Sequence, residues 1–283
     1  MQVVSTIQGL RDALSWRRSG ASVGLVVTKG NLHQGHTALI GASLAHNAFT
    51  IVTSYAGPNL FFDQESYQRY PHNAEQDQDL LADIGVDVLF KPVEGELYPR
   101  GYRDLVRVGL PRIGIGAAQS AEHGYSTELL TLLLKLCHIV QPQTLVYGEK
   151  HFQQLFLTEL MLRDFNLPTR VHRVPVVRDT DGLAIATRNQ QLSAAERQQA
   201  PILYRTLSDV GSALQNGARS YGKLEQTARV ALRGAGLKTD YLWICDAETL
   251  EAPTADTLQF RIMGAAWIGG VRLLDNIALR VQP

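Results

Sequence analysis

The chain has 283 residues, of which 45% are hydrophobic and 19% are charged. This length and composition are typical of an ordinary globular protein with about two domains. Lysine plus arginine and aspartate plus glutamate each number 27, so the formal net charge is zero. No overall electrostatic field therefore draws the chain to nucleic acid or to an anionic membrane, and a small-molecule partner is the better expectation.

Simple patterns argue against several other classes of protein. Cys137 and Cys245 lie far apart and neither belongs to a C-x-x-C pair, which predicts buried thiols and argues against a zinc cluster or a disulfide framework. The first apolar residues, Ile7, Leu10 and Leu14, recur at helical spacing and do not form the unbroken apolar run of an export signal. No apolar stretch is long enough to cross a bilayer. We therefore expect a cytoplasmic protein with a surface helix near its start and no membrane partner.

Short β-branched runs alternate with helical patterns through the first part of the chain. Runs without polar alternation predict strands of a parallel sheet covered on both faces, at residues 23–28, 50–56, 86–90, 144–147 and 171–177. Apolar residues three and four apart predict helices between them, at residues 36–46, 74–84, 127–138 and 152–164. This repetition predicts an α/β fold with a doubly wound, Rossmann-like parallel sheet. Asp77 and Asp79 are expected on the solvated face of their helix.

The character of the sequence changes near residue 176. The segment 178–182, Arg-Asp-Thr-Asp-Gly, has the chemistry of a turn. Beyond it the sequence predicts a long polar-faced helix after Ser193, short strands near 241–245 and 259–266, and a glycine-rich segment at 267–276. We therefore expect a Rossmann-like N-terminal domain at residues 1–176 and a smaller α+β lid domain at residues 177–283.

The first long strand runs into the segment Thr28-Lys-Gly-Asn-Leu-His-Gln-Gly-His36, which opens the next helix. This places two imidazoles, those of His33 and His36, at the carboxyl end of a parallel strand, where open α/β sheets bind their ligands. The helix N-terminus also offers backbone N–H groups to a phosphate. Gly30 and Gly35 allow a close approach of the backbone, and the histidines can donate hydrogen bonds to charge that develops on a transferring phosphate. The motif predicts a nucleotide-handling site.

Further motifs give the chain a resemblance to a known family. The block Tyr147–Gln154 is similar to G-E-K-D-x-Q-Q, and residues 178–189 are similar to R-x-x-D-G-L-A-x-S-S-R-N. Shorter matches lie at residues 69–71, 98–99, 265–267 and 272–276. In order and spacing these motifs resemble the pantothenate synthetase family, which is related to class I aminoacyl-tRNA synthetases. The resemblance covers nearly the whole chain.

The resemblance implies an ATP-dependent ligase that works in two steps. A small hydroxy-carboxylic acid attacks the α-phosphate of ATP, in the presence of Mg2+, to give an acyl-adenylate and pyrophosphate. A small amine then displaces AMP to form an amide. The resemblance also implies a homodimer. No metal site is expected in the protein itself, and His123, His138 and His172 lack the spacing of metal ligands.

Site residues follow from the matching positions of the motifs. Catalytic roles are expected for His33, His36, Lys150 and Arg188. Contacts to ATP are expected for Lys29, Gly30, Gly35, Gly148, His151, Val177 and Thr187. Contacts to the acid are expected for Thr28, Lys29, Gly57, Leu60, Thr127 and Gln154. The chemistry suits the residue types, because lysine is a point charge for phosphate and arginine can bind phosphate oxygens as a fork.

The departures from the family pattern concentrate where the acid is expected to bind. The methionine of P-T-M-G is Lys29, and N-P-x-Q-F becomes Gly57-Pro-Asn-Leu-Phe61, without the asparagine and the glutamine. An arginine position is Thr127, the aspartate after the catalytic lysine is His151, and the first serine of S-S-R-N is Ala186. Because losing the polar contacts that recognise a hydroxyl lowers specificity strongly, we expect a substrate altered from pantoate and β-alanine.

Three alternatives stay open at this point. In the first, the chain is a genuine pantothenate synthetase whose pocket has drifted. In the second, it is a non-catalytic nucleotide-binding homologue, and this alternative is favoured by His151 and the altered segment 124–129. The third alternative is a nucleotidyltransferase that joins a phosphorylated small molecule to a nucleotide. It needs only the H-x-G-H motif and leaves the G-E-K and D-G-L-A matches unexplained.

Overall fold

The computed structural model describes residues 1–15, 20–61, 63–71, 73–111 and 119–282, and only the backbone of residues 119–123. Contacts divide the chain into two compact units. The first unit is drawn from residues 1–110, 120–149 and 154–175, and the second contains residues 150–153 and the chain from residue 176 onward. The domains expected at residues 1–176 and 177–283 stay a prediction.

The first unit is built on a six-stranded parallel sheet. Its strands are β1 (Gln2–Val4), β2 (Val23–Thr28), β3 (Phe49–Ser54), β4 (Val88–Phe90), β5 (Thr144–Gly148) and β6 (Arg170–Val174). They lie in the order β1-β4-β3-β2-β5-β6, and each pair of neighbours is parallel. The predicted doubly wound α/β fold is confirmed. Strand β1 lies outside the predictions because three residues are too few to show a period.

Helices alternate with these strands. They are α1 (Ile7–Ser15), α2 (Gln34–His46), α3 (Gln64–Gln68), α4 (Ala74–Ile84), α5 (Glu94–Leu97), α6 (Gln119–Val140) and α7 (Phe152–Asp164), with short 3-10 turns at Pro58–Leu60, Tyr102–Asp104 and Glu149–His151. Each of the predicted helices is present, although α6 begins earlier than expected. Buried residues of α2 and α4, Ile40 and Leu81, pack with strand residues such as Val26 and Val52 in one core cluster.

The second unit is built on a three-stranded antiparallel sheet. Its strands are β7 (Lys238–Asp246), β8 (Gln259–Ile268) and β9 (Val271–Arg280), and β8 lies between the other two. The glycine-rich segment 267–276 is therefore the turn of a hairpin, where Gly269 has φ +54°, followed by the first half of β9. The sequence did not indicate β9 because Asp275 and Asn276, within the strand, are residue types that favour turns.

The helices of the second unit correct one expectation. They are α8 (Ala194–Gln199), α9 (Ile202–Gln215) and α10 (Tyr221–Gly234), with a 3-10 turn at Thr187–Gln191. The single long helix expected after Ser193 is wrong, since α8 ends at Gln199 and Pro201 stands before α9. Proline has no N–H to donate, so Pro201 interrupts the series of helical hydrogen bonds between α8 and α9. The start of α8 is a capping box between Ser193 and Glu196.

Both cysteines have the character that the sequence predicted. Cys137 and Cys245 are buried free thiols, and burial raises the pKa of each to about 12. A thiol with such a pKa is a poor nucleophile at neutral pH, so neither is a candidate catalytic residue. Within the described ranges, no helix combines the length and the apolar character needed to cross a membrane.

Gly24 marks a close approach between β2 and α2. A Cβ atom at Gly24 would lie 2.2 Å from Ser43 Oγ and 2.6 Å from Asn47 Nδ2, so Gly24→Ala would push α2 away from the strand. We expect the free energy of unfolding to fall by about 1–3 kcal/mol, the usual cost of overpacking, in a chemical denaturation experiment.

Gly41→Ala is the matched control for this prediction. Gly41 lies in the same helix, with open space around the position of its Cβ atom. Alanine is the better helix former, so the free energy of unfolding should stay unchanged or rise by up to about 1 kcal/mol. A Gly24→Ala variant as stable as the wild type would contradict the close packing.

Candidate active site

The sheet topology places a ligand-binding edge at the carboxyl ends of β2 and β5. These strands are neighbours, with β3 and β4 on the far side of β2 and β6 on the far side of β5. The strand order thus reverses between them, and open α/β sheets bind ligands in the crevice at such a point. Strand β2 ends at Thr28, where the H-x-G-H segment begins. Strand β5 ends at Gly148, and Lys150 follows in the next turn.

His33 and His36 form the N-terminal cap of α2. His33 Nδ1 accepts a hydrogen bond from the Gly35 N–H at 3.0 Å, and His36 Nδ1 accepts one from the His33 N–H at 3.3 Å. The centres of the two rings are 4.1 Å apart. Because each Nδ1 accepts, each neutral ring carries its proton on Nε2. The Nε2–H group is therefore the donor that each ring can offer to an anion.

Glycines shape the backbone around this cap. A Cβ atom at Gly35 would lie 2.8 Å from His33 Cε1, so glycine is needed there for the ring of His33 to cap its own helix. Gly30 has φ +78°, a conformation that L side chains rarely adopt. At Gly148 a Cβ atom would make only an ordinary contact, 3.6 Å from Leu39 Cδ2. The packing of the protein therefore requires glycine at Gly35 and Gly30 but not at Gly148.

Asp77 of α4 holds the loop before the cap. Its carboxylate accepts hydrogen bonds from the N–H groups of Asn31, at 2.6 Å, and Leu32, at 2.8 Å. Asp77 is buried, so its expected place on a solvated face is wrong, whereas Asp79 is exposed. Helical periodicity identifies a face of α4 but does not reveal that backbone donors from a distant loop meet that face. Asp77 is a residue of the site that the sequence did not indicate.

Lys29 lies among aromatic rings. Its Nζ donates to the Leu60 carbonyl at 3.4 Å and lies 4.6 Å from the centre of the Phe61 ring. The rings of Tyr70 and Tyr125 have their centres 5.7 Å and 5.6 Å from the same atom. Attraction between a cation and the faces of aromatic rings stabilises this arrangement. The ammonium group of Lys29, at the position where the family pattern has methionine, therefore links the loop after β2 to the segment that follows Gly57.

Thr28 and Leu60, both expected to contact the acid, are engaged within the protein. The Thr28 hydroxyl donates to the Thr53 carbonyl at 2.8 Å and accepts from the Gly30 N–H at 3.1 Å. Leu60 is only 2% exposed, so its side chain belongs to the core. Their contact with the acid stays a prediction.

The other residues expected at the acid site also belong to the first unit. Gln154 lies in α7, and its Oε1 accepts a hydrogen bond from the Tyr147 hydroxyl at 3.5 Å. Thr127 is partly buried in α6, and its carbonyl accepts from the Thr131 hydroxyl. Gly57 immediately precedes a 3-10 turn. Their contact with a substrate stays a prediction.

Lys150 lies in a polar network of the second unit. Its Nζ donates to the Ile185 carbonyl at 2.8 Å. Removal of water from around the ammonium lowers the pKa of Lys150 to about 8; the carboxylate of Asp275 opposes this shift, and Arg188 and Arg178 add to it. At neutral pH the side chain is thus a poorly hydrated cation, which suits it to bind a phosphate group.

Strand β9 holds Lys150 in place. Asn276 Nδ2 donates to the Lys150 carbonyl at 2.9 Å, and Asn276 Oδ1 accepts from Arg261 at 2.9 Å. Arg178 donates two hydrogen bonds to the Asp275 carboxylate, of 2.6 Å and 2.8 Å. Burial raises the pKa of Asp275, and Arg178 acts against that rise. The sequence indicated Asp275 and Asn276 only as part of a family motif; a polar pair within a buried strand is the signal that could have identified them.

The remaining residues expected around ATP also belong to the second unit. Thr187 and Arg188 open a 3-10 turn, and Arg188 is exposed. His151 is exposed as well. The carbonyl of Val177 accepts the N–H of Ile185 at 3.0 Å, which fixes the segment that provides the Lys150 acceptor. Their roles towards a nucleotide stay predictions.

Comparison with known proteins shows a match along the whole chain. The family model described as pantoate-beta-alanine ligase matches residues 2–278. The pantothenate synthetase of Pseudomonas fluorescens strain Pf-5 is 37% identical over 280 residues, which cover 99% of this chain and 98% of the relative. That of Thiobacillus denitrificans is 40% identical over 279 residues, covering 98% and 96%.

Solved structures are similar as well. A pantothenate synthetase from Thermus thermophilus has a TM-score of 0.89 and 35% identity, over 98% of this chain and 99% of that one. A pantoate-beta-alanine ligase from Francisella tularensis, complexed with beta-gamma ATP and beta-alanine, has a TM-score of 0.80 and 29% identity, over 98% and 97%.

The environment of Lys150 gives a prediction about its titration. Acylating reagents attack a neutral amine and not an ammonium group, so the labelling of Lys150, measured by peptide mass spectrometry, should have its midpoint near pH 8. In Asp275→Asn the carboxylate that favours the ammonium is removed, and the midpoint should move to lower pH. Asp240→Asn is the control. It removes the carboxylate that pairs with Arg272 in the same sheet, and it should leave the labelling midpoint of Lys150 unchanged.

The same pKa determines how Lys150 affects stability. In the unfolded chain a lysine keeps its proton up to about pH 10, whereas in the folded protein Lys150 loses it near pH 8. Between these values the unfolded state binds more protons, so the contribution of Lys150 to the free energy of unfolding rises with pH. A labelling midpoint at about pH 10, the ordinary lysine value, would contradict both expectations.

Proposed function

The chain belongs to the pantoate-beta-alanine ligase family, and on that premise we propose that it is a pantothenate synthetase, which joins pantoate to β-alanine. Enzymes of this family are ATP-dependent ligases that form AMP. The observation that carries the proposal is the match of the family model to residues 2–278. The presence of His33, His36, Lys150 and Arg188, which are expected to bind phosphate, supports it.

The expectation of an altered substrate is not supported. Relatives that match the chain from end to end are pantothenate synthetases, and the related Francisella structure contains β-alanine. The alternative of a genuine pantothenate synthetase with a drifted pocket agrees better with these relatives. The physical reason is local accommodation: Lys29 is stabilised by the protein's own aromatic rings, and Leu60 is buried in the core. Neither change requires a different acid.

In the first step His33 and His36 bind the phosphate that is attacked. Their Nε2–H groups can donate to oxygen atoms that gain negative charge as the acid oxygen attacks the α-phosphate. The capping hydrogen bonds fix both rings before the substrate arrives, so little reorganisation is needed during the reaction. The N-terminus of α2 adds a favourable field for an anion.

Lys150 and Arg188 supply the positive charge of the second unit. Lys150 is protonated below about pH 8, so at neutral pH it is a cation that can bind phosphate oxygens and stabilise the departing pyrophosphate. Arg188, which follows Thr187 in an exposed turn, stays charged throughout this range because guanidinium keeps its proton at any physiological pH.

The expected Mg2+ is part of the proposal as the partner ion of ATP. It would be held through the phosphates of ATP and water, as is usual for nucleotide enzymes. Within the described part of the chain, no group of three or more His, Cys, Asp or Glu residues could hold a metal ion. A homodimer in the cytoplasm stays part of the proposal, on the strength of the family resemblance.

Two substitutions test the adenylation step. His36→Ala and Lys150→Ala should each lower pantoate-dependent ATP–pyrophosphate exchange by about 100- to 1,000-fold, the usual effect of removing one preorganised donor. His46→Ala is the matched control, because His46 lies at the other end of the same helix and is exposed. Circular dichroism would establish that each variant is folded. Exchange within about threefold of wild type in both site variants would contradict these roles.

The reaction itself is tested by product analysis with ATP, Mg2+, pantoate and β-alanine. We expect one pantothenate for each AMP and each pyrophosphate, with pantoate better used than other hydroxy acids. A dinucleotide-like product would support the nucleotidyltransferase alternative, and the absence of any product would support a non-catalytic homologue. A better acid than pantoate would restore the expectation of an altered substrate.

A further inference from the structure

Two polar atoms just beyond strand β3 have no hydrogen-bond partner among the described residues. They are the hydroxyl oxygen of Tyr55 and the side-chain oxygen of Asn59, and Tyr55 is only 7% exposed. Burying a polar group without a partner is unfavourable, and native proteins retain few such groups. Two of them side by side indicate a place where a ligand completes the hydrogen bonds.

Gly57 is the residue that brings these atoms together. A Cβ atom at Gly57 would lie 2.2 Å from the Tyr55 hydroxyl oxygen and 2.7 Å from Asn59 Oδ1. Both atoms therefore occupy the place that a side chain at this position would need. An asparagine here, as in the family's N-P-x-Q-F pattern, would displace the ring of Tyr55. An asparagine side chain at position 57 and the Tyr55 hydroxyl in its present place therefore exclude each other.

The contacts of Asn59 fix the direction of its amide. Its Nδ2 donates to Glu128 Oε2 at 3.0 Å and is 3.4 Å from the Tyr98 hydroxyl. Glu128 is in turn held by an ion pair with Arg107. Because a carboxylate only accepts, the nitrogen of Asn59 must face Glu128, and the oxygen faces the other way. The acceptor at Oδ1 is therefore preorganised.

Tyr55 supplies the complementary donor. Its ring packs against that of Tyr98, with the centres 6.0 Å apart. Burial raises the pKa of Tyr55 above its ordinary value, so the hydroxyl keeps its proton at physiological pH. Tyr55 directly follows the last residue of β3, the neighbour of β2, at the edge of the sheet where ligands bind. A donor beside an acceptor matches the oxygen atoms of a small hydroxy acid.

We propose that Tyr55 and Asn59 bind the pantoate substrate: the Tyr55 hydroxyl donates to an oxygen of the acid, and Asn59 Oδ1 accepts a hydrogen bond from a hydroxyl of the acid. These two groups take over the recognition that the amides missing at Gly57 and Leu60 would provide. The inference rests on the proposed function, and it assigns specificity to residues outside the family's motif positions.

Tyr55→Phe is the decisive variant, because it removes one oxygen atom and keeps the ring. The KM for pantoate should rise about tenfold or more, while the KM values for ATP and β-alanine stay within about twofold. The melting temperature of the ligand-free protein should stay unchanged or rise, because the hydroxyl has no partner to lose there. A residue with a merely structural role would lower the melting temperature instead.

Thr239→Val is the matched control. Thr239 in β7 also has a buried hydroxyl without a partner among the described residues, but it belongs to the second unit. This variant should show the same neutral or higher melting temperature and unchanged KM values for all three substrates.

A pantoate analogue without its terminal hydroxyl tests Asn59. The wild type should discriminate against this analogue in kcat/KM, because the analogue leaves the Asn59 oxygen unpaired, and Asn59→Ala should lose most of that discrimination. A wild type that makes no pantothenate would overturn the proposed function. An active wild type whose Tyr55→Phe variant keeps its KM for pantoate, raises only that for β-alanine, or loses stability would overturn this inference alone.

Discussion

The hydrogen bonds from Asn31 and Leu32 to the Asp77 carboxylate are the constraint on which the site residues of the first unit depend. A loop that turns from a strand into a helix has backbone N–H groups that the strand ladder does not satisfy. Asp77 satisfies two of them from α4, and the loop can then enter α2 at one defined angle. The His33 cap follows from that angle, because its ring must meet the Gly35 N–H.

The second unit also depends on a buried carboxylate, but there the donor is a charged side chain and not a backbone N–H group. Here a buried carboxylate, that of Asp275, is matched by the fork of Arg178, and Asn276 beside it is matched by Arg261. Buried hydrogen bonds of this kind, in surroundings of low dielectric constant, favour one arrangement of the chain. This network holds Lys150 in place. Its backbone carbonyl accepts a hydrogen bond from Asn276 of β9, and its ammonium group is buried away from water.

The sequence predicts those features that depend on local periodicity and on short motifs. The helix at residues 152–164 and the cap around the H-x-G-H segment are examples, since their residues lie close together in the chain. The sequence fails where the partner of a residue is distant. Asp77 has the pattern of a surface residue until the loop donors are known, and strand β9 is hidden by polar residues whose partners lie far along the chain. The expectation of an altered substrate, which the relatives do not support, treated each departure as independent.

The contact between Gly57 and Tyr55 makes the history of this loop dependent on the order of its changes. With Tyr55 in place, restoring asparagine at Gly57 alone produces a clash, since a Cβ atom would lie 2.5 Å even from the ring carbon that carries the hydroxyl. The effect of a substitution at Gly57 therefore depends on which side chain is present at position 55. A stepwise return of Gly57 to the family's asparagine therefore avoids the overlap only if the side chain at position 55 changes first.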